Sequence, residues 1–205
     1  MYSILIKLGG ETMGQRSQIY VRLKTEDNKT LFVARYFQWC YAERLVSRAR
    51  SGIEWCYAHF PYLCLQMSEL NRIFDVNFDM HDIVISSDLI EEWKKYRTQF
   101  DCTMNDYLFN AHNNDGRLLI DINEKTKKIK YCFVDYDNNY LGDAENYINW
   151  ELQSFRDDYD FVAHMKQQEQ YENYLSNIEY LKKNATLMTE KQAKEFINFN
   201  HEEVI

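Results

Sequence analysis

Two pairs of β-branched and aromatic runs constrain the fold of this chain more than any other sequence feature. The first pair covers residues 18–23 and 31–37, and the second covers residues 118–122 and 129–134. In each pair, a short polar segment joins the two runs, and this arrangement predicts an antiparallel β-hairpin. Proline occurs once and glycine six times in 205 residues, so few connections are built from these residues and most other segments are predicted to be helical.

Apolar residues at spacings of three and four predict the first helix. Leu45, Ala49, Ile53 and Cys56 mark an amphipathic stretch within residues 40–59. A second helical stretch begins at Pro61. Residues 82–86 are predicted to form a short strand, followed by a helix that ends at about residue 99.

Two capping signals place further helix starts. Asp88-x-x-Glu91 and Thr189-x-x-Gln192 have the spacing of residues that satisfy the free amides of a first helical turn. After Gly142 the pattern is helical to the end of the chain, with a long amphipathic stretch at about 157–183.

These elements predict an α+β fold. Two β-hairpins share one antiparallel sheet packed with helices, and the C-terminal third is helical. We divide the chain into an α+β core at 13–142 and a helical C-terminal region at 143–205 that packs on the core. The segment from Lys7 to Met13 back-translates to a ribosome-binding sequence before a start codon, so we expect residues 1–12 to be a translated leader; the alternative is a first strand at 2–8.

Composition excludes two classes of protein. Hydrophobic residues make up 45% and charged residues 27% of the chain, a globular balance that excludes a fully disordered protein. No apolar run approaches the roughly 20 residues that a membrane-spanning helix needs, and no signal sequence opens the chain. We therefore expect a cytoplasmic protein, and the ribosome-binding sequence before Met13 indicates a bacterial host.

Charge is distributed unevenly along the chain. Residues 13–60 carry eight Lys and Arg against four Asp and Glu, whereas residues 61–205 carry fifteen against twenty-seven, and the formal net charge is −8. Within 135–160, eight carboxylates accompany a single cation, Arg156. We predict that seven of these carboxylates form an acidic, partner-binding surface: Asp135, Asp137, Asp143, Glu145, Asp157, Asp158 and Asp160. The alternative is that they cap and solubilise helix starts one by one.

Basic residues suggest a different surface. Five arginines of the first hairpin and the following helix, together with nearby aromatic residues, form a candidate nucleic-acid-binding group: Arg22, Arg35, Arg44, Arg48 and Arg50. A second basic cluster lies at the tip predicted for the later hairpin: Lys125, Lys127, Lys128 and Lys130. The alternative for the arginines is pairing with acids of the same chain.

Catalytic motifs are absent from the sequence. Asp75, Asp79, His81 and Asp82 are the densest group of metal-capable ligands, and a metal-dependent hydrolase built on them is a third hypothesis. Their spacing matches no established metal site. No phosphate-binding loop, dinucleotide motif or serine-nucleophile motif occurs. We therefore predict no cofactor and no metal, leave enzymatic activity open, and favour a non-enzymatic role.

The segment from Met13 to Arg22, MGQRSQIYVR, is similar to the start of a known class of small proteins. With the segments 34–39 and 43–50, it resembles the opening of small proteins encoded by phages and mobile elements of low-GC Gram-positive bacteria. The likeness covers roughly the first quarter of the chain. Small acidic proteins of that genetic setting are often inhibitors of host defence, anti-CRISPR proteins among them, so the resemblance implies an inhibitor.

Together, charge and resemblance predict a non-enzymatic, phage-type inhibitor of a bacterial defence system. Its partner is expected to be a nucleic-acid-handling protein, with a CRISPR effector and its guide RNA as the candidate. The alternative is an RNA- or DNA-binding accessory protein that uses the five arginines.

Overall fold

The computed structural model describes residues 16–73, 85–110, 115–153, 160–167 and 169–204. The predicted leader at 1–12, its alternative strand at 2–8 and the metal-capable group at 75–82 lie outside these residues. The predicted strand at 82–86 lies partly outside them.

A mixed β-sheet forms the centre of the fold. Its strands follow the order β3-β2-β1-β4-β5-β6, and a two-residue strand, β7, also pairs with β5. The bounds are β1 Arg16–Lys24, β2 Thr30–Gln38, β3 Ile85–Asp88, β4 Arg117–Asn123, β5 Lys128–Val134, β6 Tyr140–Gly142 and β7 Thr186–Leu187.

Both predicted hairpins are confirmed, but the prediction of an all-antiparallel sheet is wrong. β1 pairs with β2 and β4 pairs with β5 in antiparallel register, whereas β1 and β4 pair in parallel. Between β2 and β4, the described residues contain helices on both sides of β3, and β4 lies beside β1 in the same direction. Hydrophobic alternation specifies which face each residue takes, but it does not specify the direction in which two distant strands meet.

Helices cover both faces of the sheet. The eight α-helices of the described residues are α1 Glu43–His59, α2 Met67–Ile73, α3 Leu89–Tyr96, α4 Met104–Asn110, α5 Ala144–Leu152, α6 Phe161–Gln167, α7 Tyr171–Asn184 and α8 Glu190–Ile197. Apolar residues of α1, α2, α5, α6 and α7 pack on one face, and those of α3, α4 and α8 pack on the other. The C-terminal region is mostly helical, as the sequence predicts.

Side-chain alternation in β1 supplies both layers. Ile19, Val21 and Leu23 point into one core and Tyr20 into the other, and all four side chains are fully buried. A strand buried on both faces belongs to the centre of a sheet. This burial places β1 between the two helical layers.

Capping signals are confirmed more closely than helix lengths. Asp88 accepts hydrogen bonds from the amides of Ile90 and Glu91 and begins α3, and Thr189 forms a capping box with Gln192 at the start of α8. The long amphipathic stretch at 157–183 does not form one helix over the described residues: α6 ends at Gln167 and α7 begins at Tyr171. Glu169 lies between them at φ 58°, a backbone conformation that interrupts an α-helix.

Gly116, at the start of β4, is a point where the fold requires glycine. Its φ is 78°, and a Cβ atom there would lie 2.7 Å from the carbonyl oxygen of Val134. Gly142 has a φ of 91°, but the nearest contact of its Cβ would be 3.5 Å. Both Gly116→Ala and Gly142→Ala place a side chain at a positive φ, but only Gly116→Ala forces the backbone of Val134 to move. We therefore expect Gly116→Ala to lower the free energy of unfolding by at least about 1 kcal/mol more than Gly142→Ala does. Urea denaturation of both variants measures the difference, and equal losses would contradict it.

Candidate functional site

Two of the predicted partner-binding acids, Asp135 and Asp137, lie in the turn between β5 and β6 and have different environments. Asp135 is buried, and its carboxylate accepts hydrogen bonds from the amide of Asp137 and from the amide and side chain of Asn139. Asp137 is exposed. Asp135 therefore shapes the turn, and only Asp137 is presented to solvent.

Three other predicted acids lie at helix starts. Asp143 is half-buried and caps α5 by accepting from the amide of Asn146, 2.9 Å away. Glu145 follows in the first turn of α5 and is exposed. Asp160 is also exposed, and it accepts from the amide of Ala163 at the start of α6. Helix capping thus explains part of the sequence pattern, but it leaves Glu145 and Asp160 open to solvent.

A surface groove brings Glu145 and Asp160 together. The groove lies between α5, α6 and α7, has a volume of about 760 Å³, and is lined by both carboxylates together with Phe161, Val162 and Leu175. Val162 and Leu175 are 40% and 41% exposed. Asp135 and Asp137 do not line this groove and lie beyond the other end of β6. Asp157 and Asp158 are outside the described residues.

Sequence reasoning missed two carboxylates on α7. Glu172 and Glu179 are exposed, and Leu175 lies between them at spacings of three and four residues. This spacing places all three side chains on one side of the helix, and Leu175 lines the groove. This spacing is visible in the sequence, but Glu172 and Glu179 lie after the acid-rich window at 135–160 and were not included in the predicted acidic surface. We call Glu145, Asp160, Glu172 and Glu179 the acidic face.

Electrostatics inside the groove follow from these charges. Burial, and then the negative charge of Glu145, raises the pKa of Tyr174 to about 12. Lys182 Nζ lies 2.6 Å from Glu145 Oε2, and this hydrogen bond raises the pKa of Lys182. Both side chains of the pair are about half exposed, so water screens it. Lys182 therefore offsets the charge of Glu145, whereas Asp160, Glu172 and Glu179 form no ion pair within the described residues. The four carboxylates and Lys182 together have a net charge of −3.

Three of the five predicted nucleic-acid-binding arginines are directed into the protein. Arg35 and Arg48 are 7% and 3% exposed; Arg35 donates to Ser86 Oγ, and Arg48 donates to Cys40 Sγ. Arg22 forms an ion pair with Asp121 at 2.8 Å, and its side chain is 11% exposed. These arginines serve the packing of β1, β2 and α1.

The other two arginines are more exposed but also have internal partners. Arg44 donates to the carbonyl oxygen of Trp39, 3.0 Å away. Arg50 connects α1 to α7 by donating to Ser176 Oγ and Asn177 Oδ1 at 3.1 and 3.0 Å. The structure therefore does not gather the five arginines into one solvent-facing group.

A buried pair of carboxyl groups is a second feature that sequence reasoning missed. Asp115 and Glu151 are 4% and 2% exposed. Burial is the main cause that raises the pKa of Asp115 to about 6. Burial, and then the negative charge of Asp115, raises the pKa of Glu151 to about 9. The two carboxyl groups interact directly, and burial favours the protonated form of Glu151 at neutral pH. Strongly shifted carboxyl groups are also found in active sites, but the burial of this pair favours a structural role.

The carboxyl pair joins three parts of the fold. Asp115 precedes β4, and its carboxylate accepts a hydrogen bond from the amide of Arg16 at the start of β1. The hydroxyl of Tyr147 on α5 donates to the carbonyl oxygen of Asp115 at 2.9 Å. Glu151 lies one turn further along α5. The pair therefore fastens α5, the helix that carries Glu145, to the end of the sheet.

Among the residues that the structure describes, no group of three or more His, Cys, Asp and Glu side chains is arranged to hold a metal ion. Within the same ranges, no helix has the length and hydrophobicity needed to span a membrane.

Comparison of the chain with protein-family models, with curated proteins and with solved structures gives no match. The candidate site is therefore defined by its own geometry: a groove with apolar walls beside an exposed acidic face.

Proposed function

We propose that this protein is a non-enzymatic inhibitor that binds a cationic surface of a nucleic-acid-handling bacterial protein. The observation that carries the proposal is the acidic face beside the α5–α6–α7 groove. Four carboxylates from three elements are exposed there, and two of them line a groove with exposed apolar side chains.

Proteins that handle nucleic acids provide the complementary surface. Their channels are lined with Lys and Arg that contact phosphates, and a fixed array of carboxylates on a folded protein competes for the same cations. Apolar side chains between the charges add contact area that is buried on binding. An RNA-guided nuclease is the candidate partner, because it holds its guide–target duplex in a positively charged channel. The resemblance of the segment from Met13 to Arg22 to phage-encoded proteins supports the same class of partner.

The alternative, nucleic-acid binding through the five arginines, receives less support. Arg35 and Arg48 are buried, and Arg22 is paired with Asp121. A backbone-binding surface needs cations that are free to replace the counterions of phosphates. These three arginines are already used inside the fold.

The proposal is tested by neutralising the acidic face. The variant combines Glu145→Gln, Asp160→Asn, Glu172→Gln and Glu179→Gln, and the Asn at 160 keeps a cap for α6. We expect its Kd for a purified, guide-loaded RNA-guided nuclease to rise at least about tenfold, because each exposed charge contributes roughly 0.3–1 kcal/mol. Biolayer interferometry measures the Kd.

A matched control changes the same number of charges on the other face of the sheet. It combines Glu91→Gln, Asp101→Asn, Glu195→Gln and Glu203→Gln, all of which alter exposed acids. We expect the control to bind like the wild type. Equal weakening in both variants would show that only net charge matters, and absence of nuclease binding by the wild type would also contradict the proposal.

A further inference from the structure

The turns of the two hairpins lie side by side at one end of the sheet. Lys24, the last residue of β1, is paired with Asn123 at the end of β4, and Asn123 is paired with Lys128 at the start of β5. Adjacent strands are about 4.8 Å apart, so the backbones at Lys24 and Lys128 are separated by about 10 Å. The parallel pairing of β1 with β4, which the sequence did not predict, places both turns at the same end.

Hydrogen bonds hold the two turns together. The buried carboxylate of Glu124 accepts from the amide of Glu26 at 3.0 Å, and the amide of Glu124 donates to the carbonyl oxygen of Lys24 at 2.9 Å. Within the second turn, Asn123 Oδ1 accepts from the amide of Thr126 at 2.9 Å. The two turns therefore form one ordered surface.

Four lysines project from this surface. Lys24, Lys125, Lys127 and Lys128 are exposed, and none forms an ion pair within the described parts of the chain. The neighbouring Lys29 is different, because its Nζ lies 2.7 Å from Asp27 Oδ2. Hydrogen bonds from Lys29 and then Thr25 lower the pKa of Asp27 to about 2, so this aspartate is already paired and does not offset the four lysines.

We propose that these four lysines, the basic tip, bind the phosphate backbone of a nucleic acid. Their ammonium groups are free to replace phosphate counterions, in contrast to the arginines of β1, β2 and α1. The separation of about 10 Å between Lys24 and Lys128 corresponds to the axial rise of about three nucleotides in one strand. Lys24 and Lys128 can therefore contact phosphates about three nucleotides apart on one helical strand.

The composition of the turns favours nucleic acid over a lipid surface. The other residues exposed on the turns include Glu26, Asn28 and Thr126, and none is apolar. The carboxylate of Glu26 offsets one of the four lysine charges, so the basic tip keeps an excess of positive charge. Stable binding to a membrane surface needs apolar side chains or a lipid anchor in addition to cations, and the turns expose no apolar side chain. No aromatic side chain that could stack on bases lies on the two turns, so the basic tip is expected to bind mainly through the phosphate backbone.

The basic tip and the acidic face use separate residues. Phosphate binding goes beyond the proposed function. A nuclease that carries guide RNA presents cations, which the acidic face would contact, and RNA phosphates, which the basic tip would contact. Binding at the basic tip is measured with nucleic acid alone, so its failure is distinguishable from failure of the acidic face to bind a nuclease.

The test uses fluorescence anisotropy of the full chain with a labelled 20-nucleotide single-stranded RNA over a range of NaCl concentrations. We expect the logarithm of the binding constant to fall with the logarithm of salt concentration with a slope near −3, for about four phosphate contacts. The variant Lys24→Gln, Lys125→Gln, Lys127→Gln and Lys128→Gln is expected to lose at least about tenfold in affinity at low salt.

The control variant has the same net charge but keeps the basic tip. It combines Lys95→Gln, Lys166→Gln, Lys183→Gln and Lys191→Gln, which are exposed elsewhere, and is expected to bind like the wild type. An equal loss in the control, a slope near zero, or no binding at low salt would overturn the proposal. Binding to phosphatidylserine vesicles or polyglutamate as tight as to RNA would overturn it as well.

Discussion

Replacing Arg117 by leucine is expected to lower the free energy of unfolding by more than about 3 kcal/mol. Arg117 is fully buried at the start of β4. Its guanidinium donates to Gln18 Oε1 at 2.7 Å and to the carbonyl oxygens of Phe109, Asp135 and Tyr136 at 2.9–3.1 Å. Leucine removes all four donated hydrogen bonds, each of which is strengthened by the positive charge of the guanidinium.

The loss is measured by urea denaturation followed by circular dichroism. Arg97→Leu is the matched control, because Arg97 is exposed and stacks on Trp93 at 4.5 Å. We expect the control to change the free energy of unfolding by less than about 1 kcal/mol. If Arg117→Leu were as mild as Arg97→Leu, the hydrogen bonds of Arg117 would not hold α4 and the β5–β6 turn to β4.

The second large effect is a loss of stability as the pH rises. In the unfolded chain, the carboxyl groups of Asp115 and Glu151 have ordinary pKa values near 4, whereas in the folded protein they are raised to about 6 and about 9. The folded state therefore holds more protons between these limits, and the free energy of unfolding falls with pH. The contribution of the pair is fully present below about pH 4 and is lost as pH rises to about 9.

Glu151→Gln isolates this effect. Glutamine keeps a hydrogen-bond donor toward Asp115 but does not ionise, so the variant is expected to lose less stability than the wild type between pH 6 and pH 9. We expect the two slopes to differ by roughly 2–4 kcal/mol over this interval. Urea denaturation at pH 6, 7.5 and 9 measures the slopes, and parallel slopes would show that Glu151 is not the group that titrates.

Sequence patterns predicted those parts of the fold that depend on local interactions. The hairpins and the caps at Asp88 and Thr189 depend on residues a few positions apart, and each is confirmed. The parallel pairing of β1 with β4 joins residues about a hundred positions apart, and no local pattern records it. The interruption at Glu169 depends on a single backbone conformation that the amphipathic pattern does not reveal.

Charge counts predicted the candidate site less completely, because the number of charges does not determine their exposure. Asp135 belongs to the same acid-rich window as Glu145, yet its carboxylate is used within a turn. Arg35 and Arg48 belong to a basic segment, yet both are buried between elements. Glu172 and Glu179 belong to the acidic face because α7 packs beside the groove, and a count of charges along the sequence does not reveal that packing.

Amide hydrogen exchange of the protein, free and bound to a guide-loaded RNA-guided nuclease, tests the central claim most directly. The acidic face predicts slower exchange in the first turn of α5 and throughout α6 and α7 in the complex, with α3 and α8 unchanged. Protection confined to α3 and α8, or no change in α5, α6 and α7, would contradict binding through the acidic face.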